Sequence, residues 1–75
     1  MPTIFTLNGL TIKILGRDHN PPHVHAYYGE DSALVEIETG NVYAGSLPNR
    51  ELKQVQAWVA GRKEELMVRW KEMNP

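Results

Sequence analysis

The sequence predicts a small α+β domain: an antiparallel sheet of four to five strands packed on one long C-terminal helix. Three observations lead there. Residues 3–15 and 23–38 alternate apolar and polar side chains around turn signals, as β-hairpins do. Residues 48–73 instead repeat apolar side chains at helical spacing. A chain of 75 residues supports one hydrophobic core, so residues 1–75 form a single domain.

The first hairpin turns at Asn8-Gly9, a pair that tolerates the positive φ of a type I′ turn. Pairing outward sets Leu7 opposite Leu10, Phe5 opposite Ile12 and Thr3 opposite Ile14, all on one face. Gly16 ends the second strand, and Asn20 before Pro21 is pushed to an extended conformation. Pro21-Pro22 then favours a stiff polyproline-type corner. A second hairpin covers residues 23–28 and 33–38, joined by Gly29-Glu30-Asp31-Ser32. Tyr28 is expected opposite Ala33, Ala26 opposite Val35 and Val24 opposite Ile37. That register sets His25 against Glu36 and His23 against Glu38 on the other face. A slip by one residue would mix core and surface side chains.

Val42-Tyr43-Ala44 is expected as a short last strand, with an edge open to a partner's strand. Pro48 suits the first turn of the helix and Ser46 its N-cap. Leu52, Val55, Val59, Leu66, Trp70 and Met73 fall on one stripe at 100° per residue. Gly61 falls on the solvated side, so the helix is expected to run through it. Trp58 and Arg62 stand at i, i+4, suited to a cation–π contact or a partner-binding spot. With one apolar stripe, the helix covers one face of the sheet. The other face is expected to be bare, with the histidines looking out from it.

Composition narrows the function classes. There is no cysteine, which excludes disulfides, thiolate metal sites and cysteine nucleophiles. With no leader-like N-terminus and no long apolar run, a cytoplasmic protein without membrane contact is expected. The net charge of −1 carries no general argument for nucleic acid. Its distribution is uneven: residues 1–47 hold two cations against five carboxylates, and residues 48–75 six cations against four.

All three histidines lie in the acidic half, within Asp18-His19-Asn20-Pro21-Pro22-His23-Val24-His25. His23 and His25 are two apart, so a strand projects both from one face. Two chemistries fit. One is a divalent metal ion held by His23, His25 and the facing Glu36, for which imidazole and carboxylate are suitable ligands. The other is acid–base catalysis on an RNA phosphodiester by His19, His23 and His25. There Asp18 or Glu36 would orient the rings and Arg17 would face the phosphate. Histidine suits that work because it titrates near neutral pH. The bland alternative is a polar cross-strand surface, where each His–Glu pair contributes roughly 0.2–1 kcal/mol. Tyr27, Tyr28 and Tyr43 could add an aromatic platform for bases, with Tyr28 better suited to the core and Tyr27 alone expected on the histidine face.

Further residues carry a resemblance. Met1-Pro2-Thr3-Ile4-Phe5, Asn8-Gly9-Leu10, the Asp18–His25 run and Tyr28-Gly29-Glu30 resemble a family of small prokaryotic proteins, domain of unknown function 4160. Gly45-Ser46-Leu47-Pro48, Arg50, Trp58 and the Glu64-Glu65-Leu66 to Trp70 ending are similar as well. The resemblance implies a toxin-like component of a type II toxin–antitoxin module, with a small antitoxin protein as partner. It implies no catalytic residues. The histidine cluster alone suggests RNA as the target.

Overall fold

The computed structural model describes residues 3–75. Met1 and Pro2, on which the expectation about the N-terminus and part of the Met1–Phe5 resemblance fall, lie outside them. Five strands form one antiparallel sheet in sequence order: β1 (Thr3–Leu7), β2 (Leu10–Ile14), β3 (His23–Tyr28), β4 (Asp31–Glu36) and β5 (Val42–Ser46). The histidine strand β3 is therefore the central one. Two helices follow, α1 (Asn49–Ala60) and α2 (Lys63–Met73).

The first hairpin has the expected register, with Leu7 opposite Leu10, Phe5 opposite Ile12 and Thr3 opposite Ile14. Asn8 and Gly9 both have positive φ, 47° and 81°, as a primed turn requires. The second hairpin departs from expectation by two residues. Tyr28 faces Asp31, Ala26 faces Ala33, Val24 faces Val35, His25 faces Leu34 and His23 faces Glu36. Gly29, at φ 60°, takes the first central position of a two-residue turn, so the strands meet sooner than a four-residue loop allows. A shift of two preserves the faces, because side chains alternate with period two. Val24, Ala26, Ala33, Val35 and Ile37 all enter the core as expected.

The helical region departs more. Ser46 belongs to β5, and Pro48 is the residue before α1, with no side-chain cap. The single long helix is broken in two at Gly61-Arg62. Arg62 donates its N–H back to the Val59 carbonyl at 3.0 Å and leaves the helical region at φ −132°. Glycine is the weakest ordinary helix residue, so the break falls where it costs least. The packing reason is length. A straight helix over residues 48–73 would span roughly 39 Å at about 1.5 Å per residue. The longest dimension of the whole molecule is 32 Å. Breaking the rod lets α1 bury Val55, Trp58 and Val59 while α2 buries Leu66 and Trp70 in the same core. Phe5 meets Trp58 edge-on at 4.9 Å, and the Arg62 guanidinium lies over the same indole at 4.8 Å.

The sheet's outer face is not bare at the histidine end. Between β4 and β5 the register slips, with Leu34 opposite Ala44 but Val35 opposite Val42. Tyr43 is the extra residue of this β-bulge, a device that re-aims a side chain. Its ring lies over His23, which is fully buried.

Gly45 follows the bulge at φ 76°, and a Cβ there would run into the Ser32 carbonyl oxygen. Gly45→Ala is expected to destabilise the fold by more than ~1 kcal/mol, since it combines a forbidden backbone region with a collision. A urea titration checks this: the midpoint should fall with the slope unchanged.

Candidate metal centre

The site is assembled by the loop between β2 and β3. This loop is pinned at both ends. On one side Asn74, just beyond α2, reaches across it. Asn74 Nδ2 donates to the Leu15 carbonyl (3.0 Å) and to the Trp70 carbonyl (2.9 Å), while its Oδ1 accepts the Asp18 N–H at 2.6 Å. Gly16 eases the approach to α2, because a Cβ there would sit a tight 3.3 Å from the Met73 carbonyl oxygen. On the other side the Pro22 carbonyl accepts the Ile37 N–H at 3.0 Å, tying the corner to the sheet. The Asn20-Pro21 peptide is cis. Arg17, at φ 57°, turns the chain so that Asp18 faces the histidines.

Asp18 is the residue on which the histidines converge. Its Oδ2 accepts from His25 Nε2 at 2.8 Å and lies 3.0 Å from His23 Nε2. Its Oδ1 accepts the His19 N–H at 3.1 Å and stands 3.3 Å from His19 Nδ1. The ligand atoms of Asp18, His23 and His25 all lie within 4.8 Å of one another. The rings are correspondingly close, with centroids 5.0 Å apart for His23 and His25 and 5.6 Å for His19 and His23.

The state of His23 decides what the centre needs. Its Nδ1 lies 2.7 Å from the Pro21 carbonyl, which can only accept, so Nδ1 carries the hydrogen. In the neutral ring Nε2 is then a bare lone pair. That nitrogen lies 3.0 Å from a carboxylate oxygen, in a contact too poorly aligned to be a hydrogen bond. Two acceptors at that distance repel unless positive charge lies on or between them. A proton on His23 or a cation in the site would supply it. A ligating imidazole whose other N–H is held by a backbone carbonyl is the usual arrangement around a bound metal.

Burial opposes ionisation of Asp18 and is the largest single influence. The His25 hydrogen bond, the His19 N–H and the charges of His23 and His25 together outweigh it, and the carboxyl is held below its ordinary value of 3.8. Asp18 is thus a committed carboxylate.

Among the expected site residues, Asp18, His23 and His25 come together and His19 flanks them. His19 is 66% exposed in its side chain and its Nε2 shares a hydrogen bond with the Tyr43 hydroxyl at 3.2 Å. Glu36 takes no part. Although it stands opposite His23 in the sheet, its carboxylate accepts from Thr39 Oγ1 at 2.8 Å in the turn beyond β4. The expected facing of Glu36 to His25 and Glu38 to His23 is replaced accordingly. The carboxylate of the centre comes from the loop rather than from the partner strand. Asn74 was not legible as a site residue, and Tyr43 was legible only as part of an aromatic platform, not as a neighbour of His23. Tyr43 arrives by a bulge and Asn74 by a contact spanning nearly the whole chain. Tyr27 is elsewhere on the face, under the Lys13 ammonium at 5.2 Å.

A small antiparallel sheet with a two-helix layer, carrying an Asp–His–His centre at the head of its middle strand, defines the class of domain. Residues 9–71 match the family model "Domain of unknown function (DUF4160)", and the chain belongs to that family. No curated protein and no solved structure matches the chain. The match contains the whole Asp18–His25 run and Tyr43, while Asn74 lies beyond it.

Two outcomes follow for stability. Asn74→Ala leaves the Leu15 carbonyl and the Asp18 N–H without their partner and should cost about 1–3 kcal/mol in thermal or urea unfolding. Asp18 has a folded-state pKa below its unfolded one, so its contribution is present above the ordinary carboxylate range. It is lost as pH falls through 3.8 toward the lower folded value. The stability gap between wild type and Asp18→Asn should therefore shrink as the pH falls below about 5.

Proposed function

We propose that this domain binds one divalent cation at Asp18, His23 and His25, and that its activity depends on that centre. The observation that carries this reading is His23: a fully buried imidazole whose Nε2 lies 3.0 Å from an Asp18 carboxylate oxygen without making a hydrogen bond. Two imidazoles and one carboxylate form a donor set suited to zinc, manganese or iron, and leave room for further ligands. The acidic balance of residues 1–47 favours a cation there. A metal at this place supplies a Lewis acid for an anionic oxygen such as a phosphate's. The chain's own residues hold the donors still: the Pro21 carbonyl fixes the His23 ring, and Asn74 fixes the Asp18 backbone.

Calorimetric titration with Zn²⁺ or Mn²⁺ tests it. Wild type should take up one equivalent, and the histidine side-chain NMR signals should shift at the same stoichiometry. Asp18→Asn, His23→Ala and His25→Ala should each weaken binding by ten-fold or more. Glu36→Gln should bind like wild type. A wild-type titration with no heat and no histidine shift removes the reading.

A second reading keeps the toxin-like expectation, with RNA as target and a small antitoxin protein as partner. It is favoured by the Asp18–His25 hydrogen bond at 2.8 Å beside an exposed His19, which together make an oriented acid–base pair. His23 has no access to a ribose in this reading and serves as a support. Growth arrest on expression should be relieved by His25→Ala and by His19→Ala. Toxicity undiminished in both variants would end this version.

A further inference from the structure

The cation reading leaves one histidine over, and its position is informative. We propose that His19 is an exchangeable fourth ligand of the centre, held off the cation position by the Tyr43 hydroxyl. The inference rests on the cation reading and specifies how the site opens and closes.

The ring separations carry it. With metal–nitrogen bonds of about 2.0–2.1 Å, a ring centroid lies about 3.2 Å from the metal, and two imidazoles at a tetrahedral angle have centroids roughly 5.2 Å apart. His23 and His25 are 5.0 Å apart, and His19 and His23 are 5.6 Å apart. His19 thus stands beside the group of Asp18, His23 and His25, outside it but near enough to join it by turning its ring. Its nitrogens are turned elsewhere, Nδ1 toward Asp18 Oδ1 at 3.3 Å and Nε2 toward the Tyr43 hydroxyl at 3.2 Å. The unpartnered Nε2 of fully buried His23 independently marks the place the ligands surround.

The two sides of the centre also differ in freedom. His23 and His25 are fixed by the central strand, whereas His19 sits on the loop with its side chain 66% exposed. Rotation of its side chain is the cheapest movement in the site. Tyr43 is held over the centre by the β-bulge and stacks on His23 at 5.6 Å with 6° between planes. It therefore offers His19 a fixed resting partner. With His19 on Tyr43, three protein ligands leave a position open, as in catalytic sites. With His19 on the cation, four close it, as in structural sites. An anionic oxygen donor such as phosphate competes with His19 for the open position.

Co²⁺ titration followed by visible absorption tests the proposal, because four-coordinate Co²⁺ absorbs far more strongly than Co²⁺ with added water ligands. Wild type should give intense bands that shift on adding inorganic phosphate, as an oxygen donor replaces the His19 nitrogen at unchanged coordination number. His19→Ala should bind at least ten-fold more weakly, with weak bands from the start. Tyr43→Phe removes the competing hydrogen bond and should bind about two- to ten-fold more tightly. An His19→Ala variant with the affinity and spectrum of wild type overturns the fourth ligand while leaving the three-residue centre standing. A Tyr43→Phe variant that binds no more tightly overturns the resting position. Absence of Co²⁺ binding in the wild type itself removes the underlying centre and this proposal with it.

Discussion

The arrangement depends on one constraint: a fully buried imidazole must find a partner for each of its nitrogens. His23 lies at the head of the central strand, under Tyr43, where water cannot supply a hydrogen bond. An unpaired buried polar group costs on the order of 1–3 kcal/mol, and the loop before β3 is shaped by that cost. Its Pro21 carbonyl takes the Nδ1 hydrogen, and its Asp18 carboxylate is brought against Nε2. To hold a carboxylate there, the loop must itself be held. Asn74 does this from the end of α2, and Gly16 gives the clearance. The C-terminal helix therefore has two tasks. Leu66 and Trp70 fill the core, and the residue after it positions the centre.

The break at Gly61 belongs to the same chain of causes. A rod continuous from α1 would overhang the sheet and carry its end past the β2–β3 loop. Turning at Gly61-Arg62 returns α2 toward β2, so that Asn74 meets Leu15 and Asp18. On the opposite side of the site, the bulge at Tyr43 does comparable work from β5. The two irregularities, one in the helix layer and one at the sheet edge, close on the same group of histidines. Regular elements alone would leave His23 and His25 on an open polar face.

Much of the fold is legible in the sequence, and the misses have a common origin. Periodicity reports which face a side chain joins. It does not report how far one element slides along another. The second hairpin shows this: its faces follow from Val24, Ala26, Val35 and Ile37, yet its register is two residues away, because an even slip leaves the pattern intact. Gly61 falls on the solvated side of the helical stripe, so its apolar neighbours give no sign of a break. The site was half legible for the same reason. His23 and His25 share a face by simple alternation, and Asp18 is recognisable as a nearby carboxylate. The choice between Asp18 and Glu36 as third donor depends on where a loop folds. That was decided by Asn74, a residue 56 positions away.

The two functional readings divide the histidines differently, and burial separates them. A group that passes a proton to or from RNA must reach it. His25 and His19 can, and His23 cannot. If acid–base work were the whole purpose, an apolar residue at position 23 would support His25 as well and would spare the site a buried nitrogen without a hydrogen-bond partner. A cation would give Nε2 a partner, with the Pro21 carbonyl keeping the hydrogen on Nδ1. It also accounts for Asp18 contacting both rings through one oxygen, 2.8 and 3.0 Å away, rather than orienting a single imidazole. The buried histidine, the least available for catalysis by itself, is thus the strongest argument for a metal centre.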